Sequence, residues 1–256
     1  YKRQGFGTAG TDNVISCGSF TTDASGNATV TLGYEPQWVL FKASSAVDDW
    51  SILDNMRGFV AGGTNADKIL YPNKADAEIG SYNMGLTATG FTGASNLAAS
   101  TTYIYIAIRR GPMKTPTSGT SVFTPLARSG TGSSTTVNAS ITTDLTIIKN
   151  RTGAGWGNIF EDRLRGAANI LDSSSTGAEF TNTSYISSFA VQTGYTLGTS
   201  SGVNNVTGTY ADWVFQRAPS FMDVVCYTGT GSTTTFNHNL GVVPELMIFK
   251  TRTGAA

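Results

Sequence analysis

Tyr103-Ile-Tyr-Ile-Ala-Ile-Arg-Arg110 is the stretch from which the fold can be read. Its period is two: Tyr103, Tyr105 and Ala107 point one way, and Ile104, Ile106 and Ile108 the other. A strand that is apolar on both faces belongs in the middle of a layered β structure. The stretch has a counterpart 107 residues later (210 − 103 = 107), Tyr210-Ala-Asp-Trp-Val-Phe-Gln-Arg217. Each is followed two residues on by a proline, Pro112 and Pro219.

Working upstream, the correspondence continues in order. Trp38-Val-Leu-Phe-Lys42 answers Leu145-Thr-Ile-Ile-Lys149 (149 − 42 = 107), and Leu246-Met-Ile-Phe-Lys250 is a further copy (250 − 149 = 101). Gly130-Thr-Gly-Ser-Ser-Thr-Thr136 returns as Gly229-Thr-Gly-Ser-Thr-Thr-Thr235 (229 − 130 = 99). Trp50 with Asp54-Asn-Met-Arg-Gly58 is matched by Trp156 with Asp162-Arg-Leu-Arg-Gly166. Ala77-Glu78 is matched by Ala178-Glu179, and Gly90-Phe91 by Gly194-Tyr195. One such match means little, but their common order marks an internal repeat. An insertion around Phe59 to Lys68 in the first copy accounts for the uneven spacing.

The sequence therefore predicts an all-β chain of tandem antiparallel β-sandwich repeats, jelly-roll or lectin-like, of about 100 residues each. Residues 1–13 form an N-terminal segment, 14–117 the first repeat, 118–219 the second and 220–256 the start of a third. Pro112, Pro116 and Pro219 stand at the junctions and favour short, extended connections. Six or seven strands per repeat are expected, with Asp48 to Met56 as the one place for a helical turn. The opening Tyr1 and the ending Gly254-Ala-Ala256 read as cuts in a longer polypeptide.

Composition narrows the function. Charged residues are 13% against an ordinary share of roughly 25%, while 39% apolar and 11% aromatic residues argue for a packed core. Seventeen basic and seventeen acidic residues cancel, and no basic stripe exists, which speaks against nucleic-acid binding. No apolar run approaches the ~20 residues that cross a bilayer, so no membrane insertion is expected.

Chemistry-bearing residues are few. Cys17 and Cys226 hold equivalent places in the first and third copies, so free, buried strand thiols are expected. The single histidine, His238, reads as a turn residue, and no cluster has metal-ligand spacing, so neither metal nor cofactor is expected. The carboxylates that recur are Asp54 with Glu78 and Asp162 with Glu179. A duplicated pair is poor evidence for catalysis. Because Arg57 and Arg165 follow their aspartates by three residues, internal ion pairs Asp54–Arg57–Glu78 and Asp162–Arg165–Glu179 are the expectation. Trp50 and Trp156, beside Arg57 and Arg165, are the candidate sugar platforms, with core tryptophan as the competing reading. Asp48-Asp49 reads as a solvated loop.

The succession of Trp38-Val-Leu-Phe-Lys42, Trp50, Asp54-x-x-Arg57-Gly58, Ala77-Glu78, Gly90-Phe91 and Tyr103-Ile-Tyr-Ile-Ala-Ile108 resembles a repeat module of uncharacterised function in virion and tail-fibre-like proteins of marine tailed bacteriophages. The second copy departs from it with Leu145 in place of Trp38 and Gln216 before Arg217. The resemblance implies a non-enzymatic structural or adhesive protein of a bacteriophage particle. It would be a tail fibre or another appendage for host attachment on the virion exterior. Expected partners are other copies of the chain, a trimer being the favoured number, other virion proteins and a host surface glycan. The alternatives are a secreted carbohydrate-binding module array and a non-catalytic part of a polysaccharide-degrading tailspike.

Overall fold

The computed structural model describes residues 14–63, 67–94, 97–111, 114–153 and 155–254. The N-terminal segment 1–13, Pro112 and Ala154 lie outside the described residues. The chain divides into two compact units, 1–113 with 225–239 and 114–224 with 240–256. In the first, β1 (Ile15–Thr21), β9 (Thr102–Arg109), β3 (Pro36–Ala43) and β4 (Ser51–Asp54) form one antiparallel sheet in that order. The hairpin of β5 (Asp67–Ile69) and β6 (Ile79–Tyr82) joins its edge through the Ile52–Leu70 bridge. The opposing sheet runs β2 (Ala28–Thr31), β8 (Gly90–Gly93), β7 (Met84–Thr87).

The second unit repeats this order strand for strand. Its large sheet is β10 (Phe123–Ser129), β18 (Thr209–Phe215), β12 (Leu145–Asn150), β13 (Asn158–Asp162), β14 (Asn169–Asp172), β15 (Phe180–Thr181). Its small sheet is β11 (Thr135–Asn138), β17 (Gly194–Leu197), β16 (Ile186–Ser188). Register agrees as well: Tyr103 pairs with Ala43 in one unit and Tyr210 with Asn150 in the other. Alternation explains why. Val39, Phe41 and Ala43 turn into the core while Trp38, Leu40 and Lys42 turn out, and Ile148 and Tyr210 do the inward work in the second unit.

The two cores solve one position differently. In the first unit Phe20, Phe91, Tyr103 and Tyr105 meet there, with Phe20 stacked on Tyr103 at 5.2 Å and edge-on to Phe91 at 5.9 Å. By strand register their counterparts are Arg128, Tyr195, Tyr210 and Asp212. There Arg128 Nε donates to Asp212 Oδ2 at 2.5 Å, the Tyr195 hydroxyl donates to the same oxygen, and the guanidinium lies over the Tyr210 ring. Arg128 Nη1 and Asp212 Oδ1 are buried with no hydrogen-bond partner. A buried pair left partly unsatisfied costs desolvation that an aromatic cluster does not.

Four expectations need correcting or extending. Among the described residues each unit has nine strands, not six or seven, because the small sheet and the β5–β6 hairpin are built from short runs. Asp48 to Met56 is not helical: Ser51–Asp54 is β4, paired along its length with β3, and Leu53 is buried while Ile52 faces out. The four-residue α1 (Ser201–Asn204) is the α-helix among the described residues. Cys17 is a free thiol, but it is exposed rather than buried, since it sits on the outward face of edge strand β1, and Cys226 is half-buried. In the third copy Leu246–Lys250 is not a strand, and Leu246, Met247, Ile248 and Phe249 are exposed. The reason is in the strand order. β1 and β3 do not pair with each other but with β9 between them, and among the described residues no such strand lies beside Leu246–Lys250.

We expect the triple variant Arg128→Phe, Tyr195→Phe, Asp212→Tyr, which installs the aromatic set of the first unit, to match or exceed the parent in stability. Asp212→Asn alone is expected to cost about 3–5 kcal/mol. Urea denaturation measures both, and a triple variant less stable than the single one would refute the equivalence of the two cores.

Candidate functional site

The residues with the greatest chemical capacity converge on the turn that leaves β4 and β13. Asp54 Oδ1 accepts from the backbone N–H groups of Met56 (3.1 Å) and Arg57 (3.0 Å), folding the chain back on itself. Gly58 then takes φ 109° and Gly166 φ 88°, a left-handed backbone that suits glycine. This is the physical content of the Asp-x-x-Arg-Gly spacing. It aims the arginine across its own turn.

Arg57 Nε donates to Asp54 Oδ2 at 2.6 Å, Nη1 to Glu78 Oε2 at 3.0 Å and Nη2 to the Ile52 carbonyl at 3.3 Å. Arg165 repeats each bond: Nε to Asp162 Oδ2 at 2.5 Å, Nη1 to Glu179 Oε2 at 2.7 Å and Nη2 to the Phe160 carbonyl at 3.1 Å. Arg165 Nη1 also donates to the Asn169 carbonyl at 3.1 Å. The guanidinium fork thus ties β4 or β13 to the segment entering β6 or β15. Burial differs, with the side chain 23% exposed for Arg57 and 4% for Arg165. Burial pulls both guanidinium pKa values down, and the paired carboxylates more than reverse it, so both are held above the ordinary value.

Glu179 has a second arginine. Arg252 Nη2 donates to Glu179 Oε1 at 2.8 Å, and the Glu179 N–H donates to the Arg252 carbonyl at 3.0 Å. Burial lifts the Glu179 pKa, while hydrogen bonds from Arg252 and Arg165 outweigh it and leave it lowered.

The tryptophans are not brought to equivalent places. Ile52 and Phe160 share one register position, yet Trp50 stands two residues before the first and Trp156 four before the second. The Trp156 ring packs on Gly202 of α1, where an added Cβ would come within 3.0 Å. Trp50 is held through its backbone N–H, which donates to Asn73 Oδ1 at 3.0 Å. Both are half-buried. The Asp48-Asp49 loop is tied down rather than merely solvated. Asp49 pairs with Lys74 at 2.5 Å, and Lys42 Nζ donates to the Asp48 carbonyl at 3.0 Å. Lys149 makes the equivalent bond to the Trp156 carbonyl, so Lys42 and Lys149 each close their own hairpin loop. His238 is exposed.

One pair of groups was missed in the sequence. Glu161 and Asp67 are wholly buried and accept from the first N–H of the small sheet's edge strand, Ile186 at 3.1 Å and Met84 at 2.7 Å. Each is a polar staple between sheets. The signal for Glu161 was available, since period two puts it on the inward face with Ile159. Burial pushes the Glu161 pKa up to about 8, against the lowering effect of the Ile186 N–H. Among the described residues no group of three or more His, Cys, Asp or Glu is placed to hold a metal. Among the described residues no helix is long and apolar enough to cross a membrane.

Arg165→Ala is expected to cost about 3–5 kcal/mol and Arg57→Ala about 1–2 kcal/mol, because only the former strands fully buried carboxylate surface. Equal costs in denaturant titrations would contradict this. A carboxyl whose folded pKa is raised stabilises fully below its ordinary 4.5 and loses that contribution as pH rises through about 8. The second unit is therefore expected to lose on the order of a few kcal/mol across that window, and Glu161→Gln to abolish the slope. A slope that survives the substitution would assign it elsewhere.

Comparison with known proteins adds one relationship. No curated protein and no solved structure matches the chain. The family model described as domain of unknown function DUF7483 matches residues 12–112 and again 118–256. The first match covers the strands of one unit and the second those of the other, whose strand orders coincide, and the chain belongs to the DUF7483 family as a tandem pair of its domain.

Proposed function

We propose that the chain is a non-enzymatic structural and adhesive part of a bacteriophage particle, a tail fibre or another appendage on the virion exterior. It works there with other copies of itself and with other virion proteins, and it meets a host surface glycan during attachment. The observation that carries the non-enzymatic reading is the duplicated Asp–Arg–Glu crosslink. In both units the carboxylates that glycosidase chemistry would need are engaged by an arginine that also bonds strand carbonyls. Tandem sandwiches of nearly uncharged, Thr- and Gly-rich strands suit a spacer whose task is to hold a shape. The phage assignment is supported by the ordered motifs from Trp38 to Ile108 and their resemblance to tail-fibre-like modules.

Mass spectrometry of purified virions from a phage that encodes the chain is expected to find it among the particle proteins, and antibody labelling to place it outside. Its absence from virions, together with recovery from bacterial culture medium, would favour the secreted carbohydrate-binding array. Depolymerisation of host polysaccharide by the chain, lost in Glu78→Gln, would overturn the non-enzymatic reading.

A further inference from the structure

The outward face of the first unit's large sheet lacks the polar residues that solvent calls for. Register sets Cys17, Ile106, Leu40, Ile52 and Leu70 in one row across five strands. A flanking row holds Ile15, Ile108 and Trp38 and ends on Asp54; the other holds Ser19, Ile104 and Lys42. Ile15, Ile104 and Ile106 are 48%, 42% and 38% exposed. An antiparallel sheet with one wet face alternates apolar and polar residues, and this one does not.

The second unit preserves the pattern with different residues. Its middle row is Pro125, Trp213, Ile147, Phe160 and Leu171. Phe123, Phe215 and Leu145 form the row that ends on Asp162, and Lys149 occupies the place of Lys42. Four of the five middle-row residues differ between the copies, Leu70 and Leu171 being alike, yet every one is apolar in both. A face kept apolar while its residues change has something to cover.

We propose that the first unit's outer face docks against the same face of a second copy of this chain, about a two-fold axis running along the middle row. This rests on the reading that copies of the chain assemble, and it names the surface. Nine apolar residues on strands ~4.8 Å apart, in rows ~7 Å apart, give roughly 300 Å² of apolar surface, the size of the largest and often functional patch on a monomer. Such a two-fold sets each outer row against the other. The Lys42 end of one copy then meets the Asp54 end of its partner, while the uncharged middle rows stack at sheet-packing distance. With rims included, the buried area reaches the low end of specific interfaces, roughly 1,000–1,200 Å² in total, so the association is reversible.

Cys17 provides the readout. It lies on the middle row, so the axis places it opposite Cys17 of the partner subunit at about the ~10 Å spacing of stacked sheets. The full chain carrying Cys226→Ser, treated with a bismaleimide of that span, is expected to yield covalent dimers. Sedimentation velocity over a concentration series should show a monomer–dimer equilibrium that Ile106→Asp abolishes. The untreated sheet core does not contain Ile106, and the cross-link in the unsubstituted face decides the matter if that variant fails to fold. A chain monomeric at every concentration overturns the proposal. So does an oligomer that survives Ile106→Asp without cross-linking through Cys17, which rejects this face and leaves assembly of copies standing. A trimer dispersed by Ile106→Asp would overturn the two-fold geometry.

Discussion

Everything the two units share passes through one arginine. Arg57 and Arg165 each accept the constraint of a turn closed by an aspartate three residues earlier, and each spreads its donors over that aspartate, a glutamate from the β5–β6 or β14–β15 connection, and a carbonyl of the strand before the turn. A guanidinium has the planar fork and five donors to do this at once, which a lysine does not. Without it the hairpin at the edge of the large sheet would be joined to β4 and its approach by the Ile52–Leu70 bridge and the contacts of Asn73 and Lys74 with Trp50 and Asp49. The crosslink therefore sets how wide the sheet can grow. The breadth of the outer face depends on that width.

The cores show how much freedom remains once the frame is fixed. An aromatic cluster in the first unit becomes Arg128, Tyr195 and Asp212 in the second, and a buried leucine at position 53 becomes Glu161. Packing of roughly the right volume suffices to hold a fold, and its chemistry can drift when most polar groups find partners, at a desolvation cost for atoms such as Arg128 Nη1 that do not. Glu161 does so through Ile186, and the same staple is made in the first unit by Asp67 from a different strand. Function of the staple is retained; the residue carrying it is not.

Much of this was legible in the sequence because it is periodic. Alternation along Tyr103 to Ile108 marked the central strand, and the ordered matches gave the tandem arrangement that the strand orders and the two family matches show. The Asp–Arg–Glu trio could be seen because all three types recur. Three things were hidden for physical reasons. Two apolar faces on one strand read as double burial, whereas the outer side of β9 leaves Ile104 and Ile106 open. Cys17 followed the same error, since period two cannot say which face is inside. Trp50 and Trp156 matched by type but not by register, because loop length before a strand is free to vary while pairing within it is not.

The central claim is that the recurrent arginine is an internal crosslink and not a ligand contact. NMR detection of the arginine Nε–Hε groups addresses it directly. The Arg165 signal should be sharp, slowly exchanging and coupled to the Asp162 carboxylate, with Arg57 similar but faster to exchange, and neither should move when host-surface oligosaccharide is added. A rapidly exchanging Arg165 Hε, or one that shifts saturably with sugar, would contradict the account.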